Sequence, residues 1–223
     1  MTKKEYLSVV EGSGRVASEY LDGMEGIYEQ FRLRELPDMQ AQVKDRYEAA
    51  LSEQKAVLSG LQPPRGLADF HSQLLQAWEH LAKSREIFCH PIRPEEWILG
   101  LRGSRGQMCQ AMRLLYGFRL QIPGFASHWV TPEARHRLKE LDAQADPPPG
   151  VQLGLLYRNW EPEPPRYTLY VPENYTPSRS WPLVVALHGG GGNDHDSIWL
   201  YLKHAKSNGY LVVVPKSMDV TWT

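Results

Sequence analysis

Cysteine is almost missing from this chain: Cys89 and Cys109 are the only two in 223 residues. Two thiols far apart in a helix-patterned region read as reduced packing residues, which excludes a disulfide scaffold. An excess of either charge is also lacking. With 25 Lys+Arg against 26 Asp+Glu, no global field draws the chain to nucleic acid or to an anionic membrane. No stretch approaches the roughly 18 apolar residues of a membrane span. The N-terminal Met1-Thr-Lys-Lys-Glu-Tyr6 has no apolar region behind its lysines, so no signal peptide is read there. Together these absences predict a soluble, cytoplasmic protein with neither a membrane nor a nucleic-acid partner. The length accommodates one large domain or two small ones.

What is present in the first 142 residues is helical periodicity. Ala17, Tyr20, Leu21, Met24, Ile27, Tyr28 and Phe31 recur at three and four, the spacing of one helix face. Gly12, Gly14, Gly23 and Gly26 weaken that helix, since each interior glycine costs about 1 kcal/mol relative to alanine. After Leu36-Pro37, Asp38 is the expected N-cap of a second helix carrying Met39, Val43, Tyr47, Ala50, Leu51, Val57 and Leu58. Leu67, Phe70, Leu74, Trp78 and Leu81 mark a third, stopped at His90-Pro91-Ile-Arg-Pro94. A fourth begins near Glu95 with Trp97, Ile98, Leu101, Met108, Met112 and Leu115. A short helix is expected from Thr131-Pro132-Glu133. Four amphipathic helices with short Pro/Gly connections predict an up-and-down bundle.

The bundle carries no legible chemistry. His71, His80, His90, His128 and His136 are scattered, and the adjacent Glu95 and Glu96 diverge on a helix. The Glu-x-x-His spacing used by di-iron bundles occurs once, at Glu133 to His136, so no metal is expected. The Met and Trp positions read as core. Arg102 to Arg105 and Arg135 to Lys139 read as solvated faces. A structural or interaction-mediating role, with a protein partner, is the expectation.

Asp146-Pro-Pro-Pro-Gly150 is a stiff spacer where the periodicity changes. Beyond it, Val151 to Trp160 and Arg166 to Val171 read as strands flanking the Glu161 to Pro165 turn. Pro182-Leu-Val-Val-Ala-Leu187 is an apolar run of the kind buried on both faces, and it runs into His188-Gly-Gly-Gly-Gly-Asn193. A helix carrying Ile198, Leu202 and Ala205 follows, capped from Asp194, Asp196 or Ser197, and stops at Asn208-Gly209. Tyr210 to Pro215 is a further strand. A helix crossing between two apolar strands is a βαβ unit.

Three uses compete for the glycines. A Walker A loop needs a lysine after them, and none stands there. A dinucleotide fingerprint starting at Gly189 or Gly190 ends on Asp194 or His195, so it fails. Asp194 and Asp196 would also repel a phosphate. The remaining use is an oxyanion hole, in which backbone N–H groups stabilise charge developing on a carbonyl oxygen.

Tyr167-Thr-Leu-Tyr-Val-Pro172, Trp181-Pro-Leu-Val-Val-Ala-Leu-His-Gly-Gly-Gly191 and Leu211-Val-Val-Val-Pro215 resemble the opening of an α/β-hydrolase. The resemblance is to esterases related to polyhydroxybutyrate depolymerases and feruloyl esterases, and covers about the last third of the chain. In this fold a His-Gly-Gly-Gly loop after the third strand supplies oxyanion donors. The resemblance implies Gly189, Gly190 and Gly191 as donor candidates, with His188, Gly192 and Asn193 shaping the loop. Periodicity and the proline run predict a helical bundle over 1–142 and a Pro-rich linker over 143–150, and the resemblance implies a partial α/β-hydrolase domain over 151–223. It implies a small ester substrate for the parent enzyme and no cofactor.

The family's catalytic machinery is not in the chain. Gly-x-Ser-x-Gly occurs nowhere. Ser217 is flanked by Pro215 and Asp219 where the nucleophile elbow demands small residues, and His195 and His204 precede any nucleophile, the wrong order. The expectation is therefore a fragment of a larger serine esterase, inactive as it stands, with open strand edges. A peptidase of the same fold is not separated from an esterase by these residues. The alternative is a non-catalytic helical interaction module with a hydrolase remnant.

Overall fold

The computed structural model describes residues 1–90, 96–144, 147, 149–159 and 166–222. The Pro91 to Pro94 stop, the start at Glu95, Asp146 and Pro148 of the spacer, the strand end at Trp160 and the 161–165 turn lie outside the described residues. Contacts divide the chain into two compact units, Met1–His128 and Trp129–Thr223. One is helical and the other holds a mixed four-stranded sheet, so the protein is built from separate helical and β-containing parts. Among the described residues, no helix is long and apolar enough to cross a membrane.

The first unit contains α1 (Lys3–Glu29), α2 (Leu36–Ser59), α3 (Ala68–Cys89), α4 (Trp97–Gly117) and the short α5 (Pro123–Ala126). A capping box starts α1: Thr2 Oγ1 accepts from the Glu5 N–H, and the Glu5 carboxylate accepts from the Thr2 N–H. Tyr6, Val10, Ala17, Tyr20, Leu21 and Met24 line its buried face. The glycines do not break it. A Cβ on Gly23 would lie 1.8 Å from the Tyr47 hydroxyl, and one on Gly14 would lie 3.2 Å from Ile122. Space left by a missing side chain is thus filled by a neighbour, and packing recovers what propensity loses.

Helix α2 begins two residues before the expected cap. Pro37 sits in its first turn, where no intrahelical N–H is needed. Asp38 therefore occupies the first turn, where a carboxylate is favourable. Trp78, Leu74, Leu81 and Phe88 of α3 are fully buried. A buried polar chain links three helices: Tyr20 Oη donates to Ser84 Oγ at 2.9 Å, Ser84 and Ser104 Oγ are 3.1 Å apart, and Tyr28 Oη donates to Ser104 at 2.9 Å. Burial pushes the Tyr28 phenol up to about 12 and raises Tyr20 as well. Cys89 and Cys109 are both free thiols.

In the second unit a 3-10 turn (Pro132–Arg137) leads into α6 (Leu138–Leu141). Val130, Ala134 and Leu141 form a small apolar cluster with Leu138 against it. Residues 129–142, patterned like a last helix of the bundle, thus belong to the compact unit that holds the sheet. The sheet comprises β1 (Gly154–Asn159), β2 (Arg166–Val171), β3 (Leu183–Val185) and β4 (Leu211–Pro215), in the order β1-β2-β4-β3. β2 is antiparallel to both β1 and β4, while β3 is parallel to β4. Between β3 and β4 the chain crosses over through α7 (Asp194–Ser197) and α8 (Trp199–Asn208). Gly209 ends α8 at φ +71° with its N–H on the Ala205 carbonyl, the left-handed stop that Asn208-Gly209 predicts.

One expectation is corrected. β3 is not covered on both faces, because it stands at the sheet edge and α7 packs on β2 and β4. Leu183 and Val185 are each 59% exposed. The buried apolar surface belongs instead to Val212 and Val214 of β4, Tyr170 of β2, and Ile198, Trp199, Leu202 and Ala205 of the crossover.

Candidate functional site

The ladder continues one residue beyond β3, with the Ala186 N–H on the Val213 carbonyl at 2.9 Å. The chain then leaves the sheet at Leu187 and turns through His188 to Gly192. In a parallel crossover the C-terminal ends of both strands lie side by side, so 188–192 meets the segment after β4. His188 is buried at this junction. Its Nε2 accepts from the Ser217 N–H at 3.1 Å, which leaves the proton on Nδ1, 2.9 Å from the Gly189 carbonyl. Trp222 places its ring 4.9 Å from the imidazole and donates its Nε1–H to the His188 carbonyl at 2.7 Å. His188 therefore ties the loop to the segment after β4.

The glycines divide by what their N–H groups do. Gly192 donates to the Gly189 carbonyl at 2.9 Å, closing a tight turn, and Gly191 donates to Val220 at 2.8 Å. Gly191 takes φ +69°, which favours glycine there. A Cβ on Gly192 would lie 2.9 Å from the Gly189 carbonyl oxygen, so only glycine closes the turn unstrained. Gly189 is exposed, and among the described residues its N–H meets no acceptor. Of the three donor candidates, Gly189 and Gly190 are exposed, the Gly189 N–H meets no acceptor among the described residues, and Gly191 is committed to Val220.

Asn193 caps the crossover helix: its Oδ1 accepts from the Asp196 N–H at 2.7 Å, and its Nδ2 donates to the Asp196 carboxylate at 2.8 Å. Asp194 is buried and accepts from Thr168 Oγ1 at 2.8 Å. Both acids stand in the first turn of α7. Ser217 sits beside His188 without a nucleophile–base hydrogen bond. Its backbone N–H occupies Nε2, and its hydroxyl donates to the Asp219 carbonyl. A hydroxyl spent on a carbonyl, next to an imidazole spent on an amide, is not activated.

Lys216, Val220 and Trp222 are the site residues that motif reading misses. Lys216 Nζ donates to the Gly192 carbonyl at 3.1 Å, and the other two hold Gly191 and His188. Their signal lies in topology: the end of β4 has to abut the end of β3 in a parallel crossover. Comparisons of the chain with protein-family models, with curated proteins and with solved structures return no match.

Proposed function

We propose that residues 151–223 supply the oxyanion-stabilising half of a serine carboxylic-ester hydrolase of the α/β-hydrolase type. The observation that carries this reading is the exposed Gly189 donor in a His-Gly-Gly-Gly loop that leaves the third strand for the first crossover helix. That is where this fold keeps its oxyanion donors. The hydrogen bonds that His188 makes with Ser217, Gly189 and Trp222 favour it further, since preorganised donors cost no reorganisation during reaction.

Such a site also needs a nucleophile, an acid and a base, and residues 1–223 hold no Gly-x-Ser-x-Gly elbow, so the proposal covers the oxyanion half alone. By itself the chain turns over no ester, because an oxyanion hole without a nucleophile does not run the triad route. Hydrolysis of p-nitrophenyl acetate by the 223-residue chain is the first test. The expected rate equals the buffer blank; turnover abolished by a serine-directed inhibitor would contradict the proposal.

A further inference from the structure

Asp22 and Glu25 stand three apart on α1, which puts both on one face of the helix. His128, 2% exposed, lies against them. Its Nδ1 is 2.7 Å from Asp22 Oδ1, and its Nε2 is 3.8 Å from Glu25 Oε1. One ligand atom from each of the three lies within 4.8 Å of the others. Nothing in the sequence unites them, because His128 is distant in the chain and the Asp-x-x-Glu pair is ordinary on a solvated helix.

We propose that His128 Nε2 and Glu25 ligate a divalent transition-metal cation of the Zn²⁺ type, with Asp22 holding the imidazole. The two ring nitrogens divide the work. Asp22 takes the Nδ1 proton, which turns the Nε2 lone pair toward the Glu25 carboxylate. A carboxylate that orients an imidazole through one nitrogen while the other faces an ion is the usual support of a histidine ligand. The 3.8 Å between Nε2 and Glu25 Oε1 is too long for a hydrogen bond. It is close to the roughly 3.4 Å that separates two donors each about 2.1 Å from a tetrahedral ion. Glu25 therefore closes on the ion by a small side-chain rotation.

The donor chemistry selects the metal class. One imidazole nitrogen with carboxylate oxygens suits Zn²⁺ and its neighbours, while Ca²⁺ and Mg²⁺ prefer oxygen alone. Two carboxylates balance the charge of a divalent ion. Entry is open, because both carboxyl side chains are about one-third exposed. Asp22 also lines a groove of about 580 Å³ between α1 and α2, with Gly26, Asp38 and Arg46 on its walls. Water completes the coordination from that side.

The test is isothermal titration of the full, chelator-stripped chain with Zn²⁺, alongside thermal unfolding with and without the metal. Co²⁺ serves as a second probe through its visible absorption. Saturable one-to-one binding is expected, with a rise in Tm from preferential binding to the folded state. Glu25→Gln weakens binding at least about tenfold, and Asp22→Asn weakens it by about 10- to 100-fold as the ring loses its support. His128→Gln removes a ligand outright. Glu25, one-third exposed, tolerates the amide without loss of the fold, so far-ultraviolet circular dichroism of E25Q matches the parent. Absence of saturable binding, or uptake equal in the parent and E25Q, would overturn the site.

Discussion

Single residues show most clearly what holds each unit and where charge is at stake. Lys206 is almost fully buried in the second unit, with Nζ 2.7 Å from Asp142 and 2.8 Å from Glu173. The Tyr170 hydroxyl donates to the same Glu173 carboxylate at 2.8 Å. Removing one partner of such a group strands a charge in low dielectric. Lys206→Met is expected to cost about 3–5 kcal/mol, and Lys206→Met with Glu173→Leu to recover part of it. Urea unfolding midpoints of the two variants check this, and a double variant no better than the single would contradict it.

His71 is the titratable counterpart in the first unit. It is buried, with Nδ1 2.9 Å from the Tyr6 hydroxyl, and burial lowers its pKa below the ordinary 6.5. The unfolded chain then binds a proton that the folded chain refuses. Stability contributed by neutral His71 is complete above 6.5 and falls as pH drops through that value toward the lower folded pKa. Urea midpoints at about pH 7 and about pH 5 are expected to fall more in the parent than in His71→Gln. Equal falls would place the acid sensitivity elsewhere. Neither residue is flagged in the sequence, because the partners of both are non-local: 64 positions separate Lys206 from Asp142 and 65 separate His71 from Tyr6.

At the scale of elements, periodicity read the helices well and strand burial poorly. Three- and four-residue spacing locates α1 through α4, since each helix carries its own apolar face. The apolar run at 183–187 announces a strand, yet alternation and burial depend on neighbours that no local pattern specifies. In the structure β3 pairs with β4 alone among the described strands, and Leu183, Val185 and Leu187 are exposed. An exposed apolar edge invites pairing with another strand. The chain is expected to self-associate with rising concentration, and Val185→Lys to suppress that association. Light scattering across a concentration series measures it; association unchanged by the lysine would assign the contact to another surface.

At the scale of the whole molecule, the division of labour is between a helical unit with its own core and a β-containing unit with a shaped loop. The change of period near residue 150 marks where strand-like spacing begins, while the compact units divide between His128 and Trp129. Residues 129–142 are not placed by that change, because amphipathic spacing names an apolar face without naming its partner. Likewise, the glycine loop is legible as a motif while its clamp by Lys216, Val220 and Trp222 is visible only in three dimensions.

The central claim concerns the donor at Gly189. It is tested most directly by reading the transcript beyond Thr223 and assaying its product on p-nitrophenyl acetate. The expected product carries Gly-x-Ser-x-Gly and a later histidine, and hydrolyses the ester in an inhibitor-sensitive way. Gly189→Pro, which removes one N–H, is then expected to lower kcat by about 100-fold or more with KM little changed. A stop codon directly after Thr223 with a soluble, monodisperse product, or hydrolysis indifferent to the proline, would contradict the account and favour a non-catalytic interaction module.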